Sequence, residues 1–350
     1  MAWVRIGIIV FFFLIFLLVF FTLSRWIRHL GAGAKDADQP SRWSASQKPA
    51  TGGIGFFLAL ITGLIIHRGA LHNSAEVEWL VPAGACMAFV TGFWDDLRRL
   101  RPLHKLIGQL VAAACLVGSG QPAWVAVEWV DVAFKMILIV GIMNSINMLD
   151  NMDGVASAAA LAVSGWFAWN GALLAPGMVM TGALLAFLVF NHPPSRIFMG
   201  DSGSMTLGYA LSLFLLHGGK AGEPTVAGLY PTAWVILLTL YALPLADSLV
   251  VVINRMRHGV SPARGGRDHT THHLVYAGLS ERSVFILFIL LAAAEVAIAA
   301  WFHEALQSAG ALTDHAWLAL PSLCFIAVLF LALWTISLRN LRQGKYAYPS

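Results

Sequence analysis

A series of long apolar segments constrains the fold of this chain more than any other feature. A helix needs about 20 residues to cross a bilayer, where the backbone must satisfy all of its own hydrogen bonds. Only 11% of the 350 residues are charged, against about 25% in a soluble domain. The sequence therefore predicts an all-α, polytopic membrane protein with about eleven transmembrane helices, at 6–23, 52–66, 80–94, 106–118, 133–149, 157–174, 177–190, 205–216, 232–253, 284–302 and 316–338.

Basic residues indicate which loops face the cytosol. Of the 22 Lys and Arg residues, eighteen fall in one set of alternate loops and three in the other. Because cytosolic loops are enriched in Lys and Arg, we expect the amino terminus outside and the carboxyl terminus in the cytosol. The whole chain, 1–350, is predicted to form one transmembrane domain with a long cytosolic loop at 254–283.

The cysteines and the first apolar segment argue against two other features. Cys86, Cys115 and Cys324 lie inside apolar runs, so small buried hydrophobic side chains are expected rather than a disulfide framework or a zinc site. The segment 6–23 is long enough to span, and no small-residue cleavage site follows it, so no cleavable signal is expected.

The most unusual polar stretch is IMNSINMLDNMDG, at 142–154. Asn144, Asn147 and Asp150 recur every third position at the end of an apolar run, and on a helix they would cover an arc of roughly 120°. Asp153 requires the chain to leave the helix, which Gly154 allows. A solvated helix end is the alternative, but four such residues in this register favour a functional site.

Two adjacent carboxylates and a lysine follow the third span, in FWDDLRRLRPLHK at 93–105. Neighbouring helical residues point about 100° apart, so Asp95 and Asp96 are predicted to do different jobs. One can face a substrate while the other holds a neighbour such as Lys105. A charge cluster that anchors the helix ends at the membrane surface is the alternative.

Three further features lie at the same predicted side of the membrane. Asp201, in FMGDSGS, stands between glycines just before an apolar run, where it can reach a metal, or cap the helix as the alternative. The paired glycines of KPATGG, at 48–53, permit close approach of a ligand to the backbone, although a plain turn is the stronger interpretation. Asp247 lies about two turns inside the ninth span, a depth that favours a role in holding a neighbouring group.

The loop RGGRDHTTHHL, at 264–274, concentrates arginines and histidines. Its arginines would repel a cation, so phosphate binding fits better than zinc. The carboxylates and amides that cluster at the predicted cytosolic ends of the helices are hard oxygen donors that suit Mg²⁺, with Mn²⁺ as a second candidate. These features together predict a site for a diphosphate and Mg²⁺ at the membrane surface.

In these motifs the chain resembles the polyprenyl-phosphate N-acetylhexosamine-1-phosphate transferases, over nearly its whole length. The resemblance implies transfer of a sugar phosphate from a UDP-N-acetylhexosamine to a polyprenyl phosphate, with release of UMP, in the bacterial inner membrane with the active site facing the cytosol. It also implies the lipid bilayer as a partner, no nucleic acid, and leaves a homodimer open.

By matching position, the resemblance assigns roles to individual residues. Asn147 and Asp201 would hold Mg²⁺, and Asp95, Asp96 and Asp201 would form the catalytic group. The remaining site residues would bind substrate: Lys105, Asn144, Asp150, Asp153, Asn191, Arg267, His269, His272 and His273.

One departure bears on the donor sugar. Members that transfer the muramoyl pentapeptide have three consecutive histidines, whereas Thr270 and Thr271 here separate His269 from His272. The loop therefore favours a UDP-GlcNAc type of donor, with the pentapeptide transferases as the alternative. A transporter is the alternative from another class, disfavoured because the charges lie at one mouth and no repeat is visible.

The chemistry expected at such a site needs little proton removal. A phosphate monoester has a second pKa of about 6, so a lipid phosphate is mostly ionised at pH 7. Asp95 and Asp96 are therefore predicted to position other groups, with a role as general base as the alternative.

Overall fold

The computed structural model describes residues 2–29, 48–70, 79–120, 124, 127–170, 173–217, 231–309 and 316–348. Within these ranges the chain is helical, and its one extended pairing joins Ala50 to Phe198. The all-α prediction is confirmed. The α-helices are α1 (Ala2–His29), α2 (Gly52–Ala70), α3 (Leu80–Arg98), α4 (Pro102–Gly118), α5 (Glu128–Leu149), α6 (Val155–Asn170), α7 (Leu174–Asn191), α8 (Gly200–His217), α9 (Pro231–Leu240), α10 (Ala242–Arg257), α11 (Thr270–Tyr276), α12 (Glu281–Ala309) and α13 (Leu320–Arg342).

Several of these helices are long enough to cross a membrane. In the described part of the chain, five helices combine sufficient length with an apolar composition, at Ala2–Trp26, Glu128–Leu149, Leu174–Asn191, Glu281–Ala305 and Trp317–Arg342. Two shorter apolar helices lie at Gly52–Arg68 and Pro102–Gly118. These helices indicate a multi-pass membrane protein. The count of eleven spans and the orientation of the termini stay predictions, and the basic residues Lys35, Arg42 and Lys220 lie outside the described residues.

Helices α7 and α8 form the centre of the bundle. Helix α7 packs against α1, α2 and α6, while α8 packs against α2, α3 and α5. Small residues make these contacts close: a side chain at Gly92 of α3 would collide with the backbone of Asp201 and Ser202 at the start of α8. Close approach through small residues is how helices pack in bilayers, where no hydrophobic effect drives their association. The packing fixes the start of α8 against the end of α3.

The ninth predicted span is interrupted, which the sequence analysis did not foresee. The single helix predicted at 232–253 is two helices, α9 and α10, which break at Tyr241. Pro244 explains the break, because proline has no N–H to offer the carbonyl one turn earlier. The carboxylate of Glu295, in α12, accepts a hydrogen bond from the N–H of Leu243 at 2.8 Å. This bond satisfies one of the donors that the start of α10 leaves free.

Two smaller predictions also need correction. The long loop at 254–283 is shorter than predicted, because α10 continues to Arg257 and α11 occupies Thr270–Tyr276. Of the three cysteines, all free thiols, Cys86 and Cys324 are exposed on the helix surface rather than buried. An apolar run in a sequence does not distinguish residues that face the protein core from those that face lipid.

Candidate active site

Lys105 lies at the centre of a polar cluster formed by four helices. From the start of α4, its ammonium group forms ion pairs with Asp95 at 2.8 Å and with Asp201 at 2.5 Å. It also donates a hydrogen bond to Oδ1 of Asn147 at 3.1 Å. Burial alone would lower the pKa of Lys105, but the charges of Asp201 and Asp95 outweigh it and raise the pKa. The lysine is therefore held as a cation between two carboxylates.

Asp95 and Asp96 have different partners, as the sequence predicted. Asp95 holds Lys105 and accepts a hydrogen bond from the N–H of Leu100 at 2.6 Å. Asp96 instead accepts hydrogen bonds from the N–H of Asp201 at 2.7 Å and from the N–H and hydroxyl of Ser202 at 3.0 and 2.6 Å. A carboxylate at a helix start satisfies free N–H groups and complements the helix dipole. The helix cap considered for Asp201 is thus supplied by Asp96 of another helix.

The pKa of Asp96 reflects this crowded position. Desolvation of the carboxylate and then the charge of Asp201 raise the pKa to about 6, against hydrogen bonds from Ser202 that lower it. At pH 7 the carboxylate is consequently mostly ionised, as an acceptor of three hydrogen bonds should be.

Asn147 and Asp201, the predicted metal ligands, are in direct contact. The amide nitrogen of Asn147 donates to Oδ1 of Asp201 at 2.6 Å and to the hydroxyl of Ser204 at 2.8 Å. Among the described residues, no group of three or more His, Cys, Asp or Glu side chains is arranged to hold a metal ion. Any ion at this place would therefore need the Asn147 amide oxygen, water or substrate as additional ligands.

Asn144, three residues earlier on α5, is engaged in a reciprocal amide pair. It exchanges two hydrogen bonds of 3.1 Å with Gln109 of α4, and its amide nitrogen also donates to the carbonyl of Val140. The pair ties α4 to α5 directly behind Lys105. Its contact with a substrate stays a prediction.

The chain leaves helix α5 at Leu149, so that Asp150 as well as Asp153 lies in the following loop. Gly154 ends this loop at φ +79°, the left-handed conformation that glycine adopts readily. Its N–H donates to Asn191 at 3.0 Å, and Asn191 in turn donates to the carbonyl of Ile197. Asp153 accepts a hydrogen bond from the N–H of Ser195 at 2.9 Å. Asp153 and Asn191 thus join the α5–α6 loop to the α7–α8 loop.

Lys48 contacts a residue of the candidate site, Asp153, and sequence reasoning did not single it out. Its ammonium group lies 3.5 Å from the Asp153 carboxylate, donates to the hydroxyl of Ser195 at 3.0 Å and stands 4.9 Å from the ring centre of Phe198. The only signal was its place in KPATGG, where attention fell on the glycines. A second cation therefore lies beside the loop that carries Asp150 and Asp153, two of the predicted substrate-binding residues.

The paired glycines Gly52 and Gly53 approach protein rather than a ligand. A side chain on Gly52 would stand 2.7 Å from Cα of Met199, and one on Gly53 would stand 2.9 Å from the N–H nitrogen of Gly203. The start of α2 therefore packs on the start of α8. The structure therefore gives these two glycines a role in helix packing, and not the close approach to a ligand that the motif would also permit.

The histidine segment is anchored on α10 and on the α5–α6 loop. Asp247, fully buried, lies 3.1 Å from Nδ1 of His269 and accepts hydrogen bonds from the N–H and hydroxyl of Thr270 at 2.8 and 2.6 Å. Thr271 donates to Oδ1 of Asn151. The depth of Asp247 in the ninth span thus predicted its role correctly, as the holder of a neighbouring group.

The two remaining histidines are buried and neutral. Burial lowers the pKa of His272 well below its ordinary value and that of His273 to about 4. The ring of His273 packs against Tyr276 and Tyr346. Arg267 is exposed. Substrate contacts by these three residues, and by His269, stay predictions.

A buried ion pair supports the same segment. Arg255 of α10 donates to both carboxylate oxygens of Asp268, each at 2.7 Å, and to the carbonyl of Pro262. Burial would raise the pKa of Asp268, but the hydrogen bonds and charge of Arg255 hold it below its ordinary value. Such bidentate pairs fix both the position and the orientation of the two side chains.

Sequence comparisons show which known proteins this chain is similar to. The model of glycosyl transferase family 4 matches residues 79–219, a range that includes Asp95, Lys105 and Asp201. The chain is 27% identical to the probable undecaprenyl-phosphate N-acetylglucosaminyl 1-phosphate transferase of Bacillus subtilis, over 79% of this chain and 80% of that protein.

Two other relatives carry related names. The chain is 28% identical to the decaprenyl-phosphate N-acetylglucosaminephosphotransferase of Mycolicibacterium smegmatis, over 69% of this chain and 68% of that protein. It is 29% identical to the phospho-N-acetylmuramoyl-pentapeptide-transferase of Lactiplantibacillus plantarum, over 58% and 73%. The apolar helices and these relatives together indicate a multi-pass membrane transferase of phosphorylated sugars. The matches confirm the resemblance to the polyprenyl-phosphate N-acetylhexosamine-1-phosphate transferases that the motifs predicted.

Proposed function

We propose that this protein transfers N-acetylhexosamine 1-phosphate from a UDP-sugar to a polyprenyl phosphate and releases UMP. The observation that carries the proposal is the cluster of Lys105 with Asp95, Asp201 and Asn147. An ammonium group among hard oxygen donors suits a diphosphate accompanied by a divalent cation. The names of the relatives in Bacillus subtilis and Mycolicibacterium smegmatis support the same reaction.

Mg²⁺ is the proposed cofactor, with Mn²⁺ as a substitute. Asp201 and Asn147 supply a carboxylate and an amide oxygen, which is the donor set that Mg²⁺ shares with substrate phosphates and water. When bound, Mg²⁺ would neutralise phosphate charge at the leaving group. The few protein ligands within the described residues fit this cation better than one that needs a full protein cage.

The chain's own residues would act by position and charge. Lys105 would contact the diphosphate, with Asp95 holding its ammonium group in place. Asp96 would fix the start of α8 and so the direction of the Asp201 carboxylate. The lipid phosphate needs no base to ionise it at pH 7, so in-line attack would depend on orientation and on neutralised charge. Exchange of one diphosphate for another should make the reaction readily reversible.

The proposed setting is the bacterial inner membrane, with eleven spans, the amino terminus outside and the active site facing the cytosol. The excess of Lys and Arg in alternate loops supports this orientation. The partners would be a UDP-N-acetylhexosamine, a polyprenyl phosphate and the surrounding bilayer. A homodimer stays a prediction for which no contact is described.

The test is a cell-free assay with purified protein, a polyprenyl phosphate and a panel of UDP-sugars. We expect release of UMP that depends on both the lipid phosphate and an N-acetylhexosamine nucleotide. Release with the muramoyl-pentapeptide nucleotide alone would favour the pentapeptide transferase instead. Failure of every donor under conditions in which the protein moves a solute across vesicles would favour a transporter.

A further inference from the structure

The two oxygens of the Asp247 carboxylate have separate partners. Oδ1 accepts both hydrogen bonds from Thr270, one from its N–H and one from its hydroxyl. Oδ2 lies 3.1 Å from Nδ1 of His269. Asp247 is fully buried on α10, a helix that begins at the break after Tyr241. One carboxylate therefore anchors the first residue of α11 and, independently, orients the imidazole next to it.

This contact determines which nitrogen of His269 carries the proton. An ionised carboxylate can only accept hydrogen bonds, so Nδ1 must be the donor. Nε2 is then the nitrogen available to a ligand.

The surroundings place His269 near the α5–α6 loop, which carries the predicted substrate-binding residues Asp150 and Asp153. The next residues on α11 reach the α5–α6 loop, where Thr271 donates to Asn151, next to Asp150 and Asp153. The ring of His269 lies 5.5 Å from that of His272, measured between ring centres. His269 is paired with a buried carboxylate, whereas burial lowers the pKa of His272 and His273 and keeps both rings neutral.

We propose that Asp247 is a positioning residue that holds His269 with Nδ1 protonated, so that Nε2 contacts the diphosphate of the nucleotide sugar. The ligand in this inference rests on the proposed function, whereas the Asp247–His269 pair does not. Outer partners that orient a metal-binding imidazole typically change affinity or activity roughly 10- to 100-fold, and we expect the same order of effect for an imidazole that binds a phosphate.

The substitution Asp247→Asn separates the two roles of the carboxylate, which are to hold Thr270 and to orient His269. The amide oxygen can keep both bonds from Thr270, while the amide nitrogen takes the place of Oδ2 and donates to Nδ1. The favoured form of His269 then carries its proton on Nε2. We expect kcat/KM for the nucleotide sugar to fall roughly 10- to 100-fold, with the protein still folded in detergent.

The readouts are a double-mutant cycle and ¹⁵N-histidine NMR in nanodiscs. If Asp247 acts through His269, adding Asp247→Asn to His269→Gln should lower kcat/KM by no more than about twofold. The NMR signal of His269, assigned by its absence in His269→Gln, should show Nδ1 protonated in the wild type and Nε2 protonated in Asp247→Asn. Glu295→Gln is the matched control: it converts another buried carboxylate, bonded to the N–H of Leu243 rather than to a histidine, and should leave kcat/KM within about threefold.

The outcomes distinguish this inference from the proposed function. Additive losses in the cycle, or a wild-type His269 protonated on Nε2, would overturn the positioning role even if UMP release is normal. If the wild type releases no UMP with any donor, the proposed function fails, while the NMR measurement still tests the Asp247–His269 pair. If the Asp247→Asn protein does not fold, the NMR signal of His269 in the wild type tests the proposal by itself, because it shows which ring nitrogen carries the proton.

Discussion

Lys105 and Asp201 form a 2.5 Å ion pair across 96 positions of the sequence. The same ammonium group also pairs with Asp95, so two carboxylates from different helices share a single cation. A divalent cation entering with a diphosphate would share Asp201 with this lysine. The pair therefore marks the place where we expect the diphosphate and its cation to bind.

The first prediction concerns Asp201. Asp201→Asn should abolish turnover, because it removes the carboxylate that the Mg²⁺ proposal requires, while Lys105 keeps Asp95 as a partner and the fold survives. UMP release at saturating Mg²⁺ measures turnover, and Mn²⁺ binding by electron paramagnetic resonance measures the metal independently of activity. Glu128→Gln, an exposed carboxylate at the far end of α5, is the control. An Asp201→Asn enzyme that keeps a tenth or more of the wild-type rate would show that Asp201 is not the ligand.

The second prediction concerns the Asp95–Asp96 pair. Both Asp95→Asn and Asp96→Asn should lower the rate, the first by releasing Lys105 and the second by loosening the start of α8. Raising the pH from about 7 to 9 should not restore the rate of either variant, since the lipid phosphate is already ionised across that pH range. Asp96→Asn should also lower the free energy of unfolding by about 1 kcal/mol, as loss of a helix cap does, measured by thermal unfolding in detergent. Strong recovery of either rate at high pH would instead establish a general base.

These roles show what the sequence could and could not predict. Adjacent helical residues point in different directions, so the division of labour between Asp95 and Asp96 followed from local geometry. The partners of Asp96 did not, because they lie 105 and 106 positions away. The positive φ at Gly154 was predictable from residue type, whereas the engagement of Asn144 with Gln109 depends on how α4 meets α5.

The break in the ninth span illustrates the same limit. Pro244 was visible, but prolines are tolerated in membrane helices when other groups satisfy the backbone. Whether the helix bends or breaks depends on such groups. Here the N–H of Leu243 finds its partner in Glu295, which lies 52 positions further along the chain. Local propensities therefore predicted most of the helices, and tertiary contacts decided which side chains of the candidate site meet.

The third prediction concerns topology. Single cysteines at Arg98, Arg196 and Arg264, which are exposed, should resist a membrane-impermeant thiol reagent in intact cells and react after permeabilisation, because the charge bias places these loops in the cytosol. The native cysteines would first be replaced by serine. A cysteine at Glu128 should react from outside and serves as the positive control. Labelling of any of the three loop positions in intact cells would contradict a single cytosolic site.

The fourth prediction uses the acid dependence of stability. The pKa of His273 is lowered from 6.5 to about 4, so the unfolded chain binds a proton at a pH where the folded protein does not. Stability is therefore complete above pH 6.5 and is lost as the pH falls toward 4, by an amount on the order of 3 kcal/mol. Thermal unfolding between pH 7.5 and 4.5 should show a shallower slope for His273→Phe than for wild type. His104→Gln, at an exposed histidine, should retain the wild-type slope; equal slopes for all three proteins would refute the assignment to His273.

The last prediction concerns the donor, and it is that UDP-GlcNAc-type sugars are used faster than the muramoyl-pentapeptide nucleotide. The two threonines that interrupt the histidine run are both engaged: Thr270 with Asp247, and Thr271 with Asn151. These bonds hold α11 against the α5–α6 loop, and the neighbouring arginines and histidines can neutralise phosphates but offer no evident surface for a long peptide. Pockets separate close isosteres by only about 1–3 kcal/mol, so relaxed choice among N-acetylhexosamines is expected as well. UMP release should be compared for both nucleotides with the same lipid phosphate; faster turnover of the pentapeptide donor would reverse the assignment of the sugar and leave the transfer reaction in place.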